Sequence, residues 1–330
     1  TTLSSHHWIL AWIGLEINTL ALIPIMTKNP HPRAIEAATK YFLTQATAST
    51  LVLFSALINA WQMGQWSITL VSSPTSIVLT LAIFTKLGLA PLHFWLPEVL
   101  QGISLSSGLI LSTWQKIAPM TLLIQNSQYT NLQLTITIGL ISALIGGWGG
   151  INQTQMRKIM AFSSIGHLGW MIIILKMNPQ LTLFSFLLYL MMTSAMFLAL
   201  MPTDSTTMLN IANMFSKTPA LTPILMLTLL SLAGLPPMSG FSPKLLITTE
   251  LIKQGAIFLA SFIMLTSLLA LFFYLRLTYI LTLTMSPNNS NSTPTWFHTT
   301  KINPLTAPTN TLALLILPMT PTLLLMMWKS

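Results

Sequence analysis

The sequence GLAPLHFWLPE, residues 88–98, and the sequence GLPPMSGFSPK, residues 234–244, decide the fold of this chain. Aligned without a gap, they share Gly, Leu, Pro, an aromatic residue, a second Pro and a final charged residue. Each stretch interrupts a very apolar segment. Because glycine and proline weaken or remove helical backbone hydrogen bonds, each stretch predicts a broken helix.

The composition identifies the class of protein. The chain has 330 residues, of which 53% are hydrophobic and 6% are charged, whereas soluble domains carry about 25% charged residues. The mean hydropathy is strongly positive over the whole length. We therefore predict an all-α polytopic membrane protein without a sizeable water-facing domain.

Charge and cysteine content exclude several other classes. The net charge is +9, but the 14 lysines and arginines are scattered through apolar sequence, so nucleic-acid binding is not expected. The absence of cysteine excludes disulfides, iron–sulfur clusters and thiolate metal sites. GGWGG, residues 146–150, lies at a span end and indicates close packing rather than a phosphate-binding loop. We expect no redox cofactor, nucleotide or metal on this chain.

Apolar segments of about 20 residues, the length that spans a bilayer, divide the sequence into ten predicted crossings. They cover residues 7–27, 41–62, 75–98, 104–125, 132–151, 158–176, 180–201, 220–251, 256–283 and 309–328. The longer polar stretches between them are 28–40, 202–217 and 286–308. Since the chain begins abruptly at Thr1, we expect a truncated or processed start in which one earlier helix is missing.

The distribution of loop charges predicts the orientation. Alternating the ten crossings places Lys176, Lys253 and Lys329 on one face, and most basic residues on the other. The basic-rich face, which the positive-inside rule assigns to the cytoplasm or matrix, carries Lys28, Arg33, Lys40, Arg157, Lys158, Lys217 and Lys301, with Arg276 near it. The C-terminus is then expected across the membrane.

The two opening stretches fall in the third and eighth crossings. An offset of five crossings is odd, so the two helices are expected to run in opposite directions, which is typical of the inverted repeats of transporters. We predict one membrane domain, with an incomplete first repeat at 1–125, a second repeat at 126–283, and a loop with a terminal helix at 284–330. Unwound backbone is tolerated in a membrane only when it is buried or lines a wet cavity. The alternative is a pair of simple proline kinks.

Four ionisable residues lie within predicted spans, away from the water. They are Glu16, Lys86, Lys116 and Lys244. Each costs about 2.5–3.5 kcal/mol at a helix centre, so each needs a partner or water. The alternative is snorkelling to the interface or a structural ion pair, although Lys116 is about ten residues from either end of its span. Glu98, near a span end, is expected to face the interface.

The chemistry of these four groups suits proton transfer. Desolvation disfavours a charged ammonium group and a nearby carboxylate favours it, so a lysine with a movable partner is a switchable proton carrier. We predict Glu16 and Lys86 as a pair, Lys116 as the middle relay and Lys244 as the terminal relay. His93 and His167 are weaker candidates, because imidazole exchanges protons near pH 7 but a hydrogen-bonded packing role is equally consistent with the sequence.

Six blocks of the sequence resemble a known family. In chain order they are GLEINTLALIP, KYFLTQATAS, KLGLAPLHFWLPEVLQG, TWQKIAP, GGWGGINQTQMRKIMAFSSIGHLGW and LAGLPPMSGFSPK. They are similar to the chain 2 family of NADH–ubiquinone oxidoreductase, the antiporter-like membrane subunits of respiratory complex I, in its animal form. The resemblance covers essentially the whole chain. It implies two inverted five-helix repeats, each with one discontinuous helix, and eleven helices rather than the ten counted here.

The resemblance also assigns residues. The buried glutamate of the family matches Glu16, and the lysine of its first discontinuous helix matches Lys86. Its central lysine matches Lys116, and its distal lysine, on the second discontinuous helix, matches Lys244. His167 matches a histidine of the family whose role is less defined.

The resemblance implies a subunit of an H⁺-translocating NADH:ubiquinone reductase in the mitochondrial inner membrane, with its C-terminus on the intermembrane-space side. NADH, FMN, iron–sulfur clusters and ubiquinone would be bound by other subunits. Expected partners are neighbouring membrane subunits and phospholipids, with cardiolipin as a candidate. Two alternatives remain open from the sequence, a stand-alone cation/proton antiporter and a structural membrane spacer.

Overall fold

The computed structural model of the protein describes residues 2–68, 70–203, 206–212, 220–283 and 303–329. Within these ranges the chain is predominantly helical, contains no β-strand, and has two isolated bridges, His7 to Ser67 and Gln155 to Thr207. Most of the predicted polar loop 286–308 and part of the stretch 202–217, including Lys217 and Lys301, lie outside the described residues.

The helices follow in chain order. The first nine are α1 (Trp8–Met26), α2 (Pro32–Met63), α3 (Ser73–Leu87), α4 (Trp95–Gly102), α5 (Leu105–Ser112), α6 (Trp114–Gln125), α7 (Leu132–Ile151), α8 (Met156–Ile174) and α9 (Pro179–Leu200). The next six are α10 (Met208–Ala212), α11 (Leu221–Ala233), α12 (Phe241–Lys253), α13 (Ile257–Leu283), α14 (Thr306–Leu315) and α15 (Thr320–Lys329).

Helix α2 begins earlier than the sequence predicted. The polar stretch 28–40 is helical from Pro32 onward. The His31 side chain accepts a hydrogen bond from the Arg33 backbone N–H and so caps the helix. Pro32 is tolerated in the first turn, because a backbone N–H at that position has no partner within the helix. The exposed side of the extension carries Glu36 and Lys40, whose side chains pair at 2.6 Å. The polar residues therefore form the outer face of a helix rather than a loop.

Within the described ranges, five helices are long and apolar enough to cross a bilayer. They are α1, α2, α7, α9 and α13, and the pair formed by Thr306–Leu315 and Leu317–Leu325, bent by 59°, would be a sixth. The ten predicted crossings are not confirmed, because several of them consist of two short helices. Spans 75–98, 104–125 and 220–251 correspond to α3 with α4, α5 with α6, and α11 with α12.

The helices form two compact units. The first contains residues 1–142 and 168–182, and the second contains 143–167 and 183–330. In the first unit α2 packs against α1, α3 and α4. In the second unit α11 packs against α13 and α14, and a methyl group added to Gly146 would lie 2.5 Å from the Gly166 backbone. The GGWGG segment therefore lies in a close helix contact. The repeat boundaries inferred from the sequence stay a prediction.

Candidate functional site

Two broken helices, one in each unit, have matching geometry. Gly88, directly after helix α3, has φ 78°, and Gly234, directly after helix α11, has φ 76°. This left-handed conformation favours glycine, because a side chain would collide with the backbone. The breaks cover residues 88–94 and 234–240, and each contains one cis peptide bond before proline, at Pro91 and Pro237. The two breaks predicted from the sequence are thus present.

The first break is closed by neutral donors. The carbonyl groups in the last turn of a helix lack partners within the helix and must find them elsewhere. The indole Nε1 of Trp95, the first residue of α4, donates to Thr85 O at 3.1 Å. The side-chain amide of Gln45 on α2 donates to Lys86 O at 3.4 Å. The end of α3 is therefore hydrogen-bonded both by α4, the other half of the broken helix, and by the neighbouring helix α2.

The second break is closed by a charged donor. Lys244 on α12 reaches back across the break, and its Nζ donates to Ala233 O at 2.7 Å. A cation at a helix C-terminus also interacts favourably with the helix dipole. A methyl group added to Gly234 would lie 2.9 Å from Cδ, Cε and Nζ of Lys244, so this glycine leaves the space that the lysine occupies.

In the first unit, Lys86 and Lys116 line one enclosed cavity. Their exposed fractions are only 5% and 3%. The cavity measures about 10 Å³ as the space open to the centre of a water molecule, which is close to the minimum for one water. Polar side chains complete the lining, among them Asn18, Tyr41, Gln45 and Gln115. The structure therefore brings two of the predicted relay residues together. This enclosed space is called the lysine cavity below.

Glu16 lies near the lysine cavity but does not pair directly with Lys86. Its carboxylate is within electrostatic range of Lys86 and of Tyr41. Among the described residues, no nitrogen–oxygen contact of 4.0 Å or less joins Glu16 to Lys86. Glu16 Oε2 and Lys86 Nζ are both buried, and neither has a hydrogen-bond partner in the described part of the chain. The predicted pair is thus separated, with one orphaned polar atom on each side.

The two histidine candidates lie in different surroundings. His93 is buried inside the first break, with Nδ1 3.2 Å from Pro91 O and its ring 4.3 Å from that of Phe94. It is not among the residues that line the lysine cavity. His167 belongs to the second unit, is half-buried on α8, and its ring centre lies 5.9 Å from that of Tyr189.

Several polar residues near these groups were not predicted from the sequence, because only ionisable residues were considered as candidates. Asn18 and Gln115 hydrogen-bond to each other beside the lysine cavity. In the second unit, the hydroxyl of Tyr189 is bonded to Ser164, and that of Tyr274 is buried near Ser163. The signal was present, since amides and hydroxyls inside long apolar segments need hydrogen-bond partners as much as charges do.

Glu98, by contrast, belongs to the surface. Its Oε2 pairs with Lys40 Nζ at 2.7 Å, and both side chains are largely exposed. The pair joins α4 to α2 and takes no part in lining the lysine cavity. The match between the final charges of the two opening stretches is therefore not a functional correspondence.

The comparisons with known proteins agree with this architecture. Residues 5–270 match the family described as NADH:quinone oxidoreductase/Mrp antiporter, TM. Residues 271–324 match the NADH dehydrogenase subunit 2 C-terminus. NADH-ubiquinone oxidoreductase chain 2 of Aquarana catesbeiana is 66% identical over 325 residues, which is 98% of this chain and 94% of the relative.

Two solved structures are similar in fold. One is respiratory complex I from Thermus thermophilus with bound aureothin, with a TM-score of 0.81, 26% identity, and 96% of this chain and 76% of that chain covered. The other is the Mrp complex of a Dietzia species, with a TM-score of 0.82, 18% identity, and 99% and 73% covered. At that identity the Mrp likeness shows the fold alone. The chain is an integral membrane protein, and it belongs to the NADH–ubiquinone oxidoreductase chain 2 family of antiporter-like membrane subunits.

Proposed function

We propose that this protein translocates protons as a membrane subunit of NADH:ubiquinone oxidoreductase, respiratory complex I. The relay consists of Glu16, Lys86, Lys116 and Lys244, and quinone reduction in other subunits supplies the energy. The observation that carries the proposal is the shared burial of Lys86 and Lys116 around one cavity with room for about one water. His93 and His167 are secondary candidates.

Electrostatic repulsion between Lys86 and Lys116 would drive proton transfer in the cavity. Two ammonium groups that share a desolvated cavity disfavour each other's charge. A proton that arrives on one lysine therefore favours release of a proton from the other. The cavity lining also includes the amide of Gln45 and the hydroxyl of Tyr41 as hydrogen-bonding groups.

Glu16 supplies the bias that makes the relay directional. Its carboxylate attracts the Lys86 ammonium across a gap rather than through a direct contact, so approach of the two groups would strengthen the attraction and withdrawal would weaken it. The orphaned atoms Glu16 Oε2 and Lys86 Nζ are suited to a bridging water, which satisfies buried polar groups nearly as well as a direct bond.

The wider assignment follows from the family. We propose an inverted-repeat topology of ten spans in this chain and a location in the mitochondrial inner membrane, with the C-terminus on the intermembrane-space side. Other complex I membrane subunits are its protein partners, and phospholipids, including cardiolipin, cover its outer apolar face. NADH, FMN, iron–sulfur clusters and ubiquinone bind to other subunits. A stand-alone cation/proton antiporter is the second candidate, supported by the shared fold of the Mrp complex.

The test is Lys116→Ala in the assembled complex. We expect NADH oxidation to continue while the number of protons moved per NADH falls at least several-fold, measured in proteoliposomes with a pH-sensitive dye. Lys253→Ala is the matched control, because its side chain is 71% exposed and meets Glu250 only at 4.0 Å. Unchanged pumping in Lys116→Ala would exclude the relay. Sodium-dependent proton exchange by the isolated chain would favour the antiporter instead.

A further inference from the structure

A second cavity shares two lining residues with the lysine cavity. It is an open groove of about 380 Å³ within the first unit, lined mainly by apolar side chains such as Leu22, Ile25 and Ile110. Asn18 and Gln115 line both spaces. Both side chains therefore border the open groove and the lysine cavity at once.

The two side chains hold each other by reciprocal hydrogen bonds. Asn18 Nδ2 donates to Gln115 Oε1 at 2.9 Å, and Gln115 Nε2 is 3.2 Å from Asn18 Oδ1. Gln115 Nε2 also donates to the Asn18 backbone carbonyl at 3.1 Å. Each amide thereby satisfies the other without water. Both side chains are half-buried, so separating them removes these hydrogen bonds unless water takes their place.

The backbone beside the pair is irregular just before Lys116. Helix α5 ends at Ser112, α6 begins at Trp114, and Thr113 between them has φ −112° and ψ −71°, outside regular helical geometry. Gln115 and Lys116 follow in the first turn of α6. A displacement of that turn would therefore move Gln115 together with the central lysine, while Asn18 stays on α1.

We propose that the Asn18–Gln115 amide pair is a gate between the open groove and the lysine cavity, and that its opening admits water to Lys86 and Lys116. The proposal rests on the proposed proton relay, which the gate would supply with water. Whether the gate exists is tested separately, by the access of solvent to the cavity.

The experiment measures that access directly. The chain contains no cysteine, so Leu111→Cys places a single thiol of this chain in the lysine cavity, at a position that is 1% exposed. In the assembled complex in proteoliposomes, a small cationic methanethiosulfonate reagent is applied to Leu111→Cys alone and combined with Gln115→Ala. We expect labelling at least ten-fold faster when Gln115 is replaced. Equal rates would overturn the gate.

Two controls separate the gate from general loosening. Gln62→Ala removes an exposed glutamine whose Oε1 accepts one hydrogen bond from Ser72, and it should leave labelling unchanged. The exchange Asn18→Gln with Gln115→Asn keeps two facing amides and should restore slow labelling. If the exchanged pair labels as fast as Gln115→Ala, the gate is wrong. If Gln115→Ala does not assemble, Asn18→Ala opens the same pair from the other helix and carries the same expectation.

A proton measurement distinguishes failure of the gate from failure of the relay. Gln115→Ala should also raise the passive proton conductance of the proteoliposomes. Faster labelling without extra proton conductance would support the gate and contradict the lysine cavity as a proton route. Slow labelling with normal pumping would contradict the gate and leave the relay in place.

Discussion

The Nζ atom of Lys244 lies 2.7 Å from the carbonyl oxygen of Ala233, so a side chain from one half of a broken helix closes the end of the other half. Lys86 stands instead within the last turn of its own half-helix, α3. Both lysines therefore lie at the C-terminal end of the first half of a broken helix. Lys86 is part of that half-helix, whereas Lys244 approaches it from the second half. Lys86 is buried and Lys244 is half-buried, and a charge in such surroundings has to be stabilised locally.

Replacing Lys244 separates its structural role from its proposed role in proton transfer. Lys244→Met removes the donor to Ala233 O, and an unsatisfied buried carbonyl costs about 1–3 kcal/mol. Lys244→Arg keeps a charged donor but does not release its proton. We expect lower thermal stability and lost pumping in the methionine variant, and retained stability with lost pumping in the arginine variant. Thermal inactivation midpoints and protons per NADH measure the two effects. Full pumping with arginine would assign Lys244 a structural role only.

Gly234→Ala should be more damaging than an equivalent change elsewhere. The left-handed conformation alone costs an alanine roughly 1–2 kcal/mol. At Gly234 the added methyl group also lies 2.9 Å from the Lys244 side chain. Gly255→Ala is the matched control, because Gly255 has φ 78° and no atom within 4 Å of the added methyl group. We expect Gly234→Ala alone to lower pumping, measured at equal complex content. Identical behaviour of the two variants would mean that Lys244 moves aside without consequence.

Trp95→Phe tests how the first break is held. The change keeps an aromatic ring but removes the indole donor to Thr85 O. Phe241 occupies the aligned position of the second break, where Lys244 supplies the closing hydrogen bond instead. We expect a loss of about 1 kcal/mol in stability, seen as a lower inactivation temperature. Trp61→Phe, at a side chain that is 87% exposed, should show no shift. A shift of equal size at both sites would argue against the hydrogen bond.

Glu16→Gln tests the electrostatic partner of Lys86. The change keeps the side-chain volume and removes the negative charge within range of the lysine. We expect proton pumping to fall several-fold while the complex still assembles, because Lys86 loses its counter-charge. Glu98→Gln is the control, since that carboxylate is exposed and pairs with Lys40 at the surface. A larger effect from Glu98 than from Glu16 would contradict the assignment.

The sequence predicts the broken helices well because their cause is local. Gly88, Pro91, Gly234 and Pro237 impose backbone geometry wherever they occur, so the two breaks are readable without knowledge of the fold. The charged residues are equally legible, because an ionisable group in an apolar span has few possible explanations. The helical extension of α2 was missed since polar residues on one helix face look like a loop when only hydropathy is read.

The closure of the breaks could not be predicted in the same way. Which donor meets Thr85 O or Ala233 O depends on how side chains from separate helices meet, and spacing in the sequence does not fix that. The separation of Glu16 from Lys86 is of the same kind. Asn18 and Gln115 gave a weaker signal, because a neutral amide costs less than a charge in an apolar span and becomes informative only when it faces another amide.

The two breaks are closed by different kinds of hydrogen-bond donor, so a change of protonation affects them differently. The first break is closed by hydrogen bonds from an indole and an amide. Neither group ionises at physiological pH, so these hydrogen bonds do not change with protonation. The second is tied by an amine. When Lys244 gives up its proton, the remaining N–H groups can still bond to Ala233 O, but the attraction between charge and helix end disappears. If Lys244 carries protons as proposed, the strength with which the second break is held would depend on its protonation, whereas that of the first break would not.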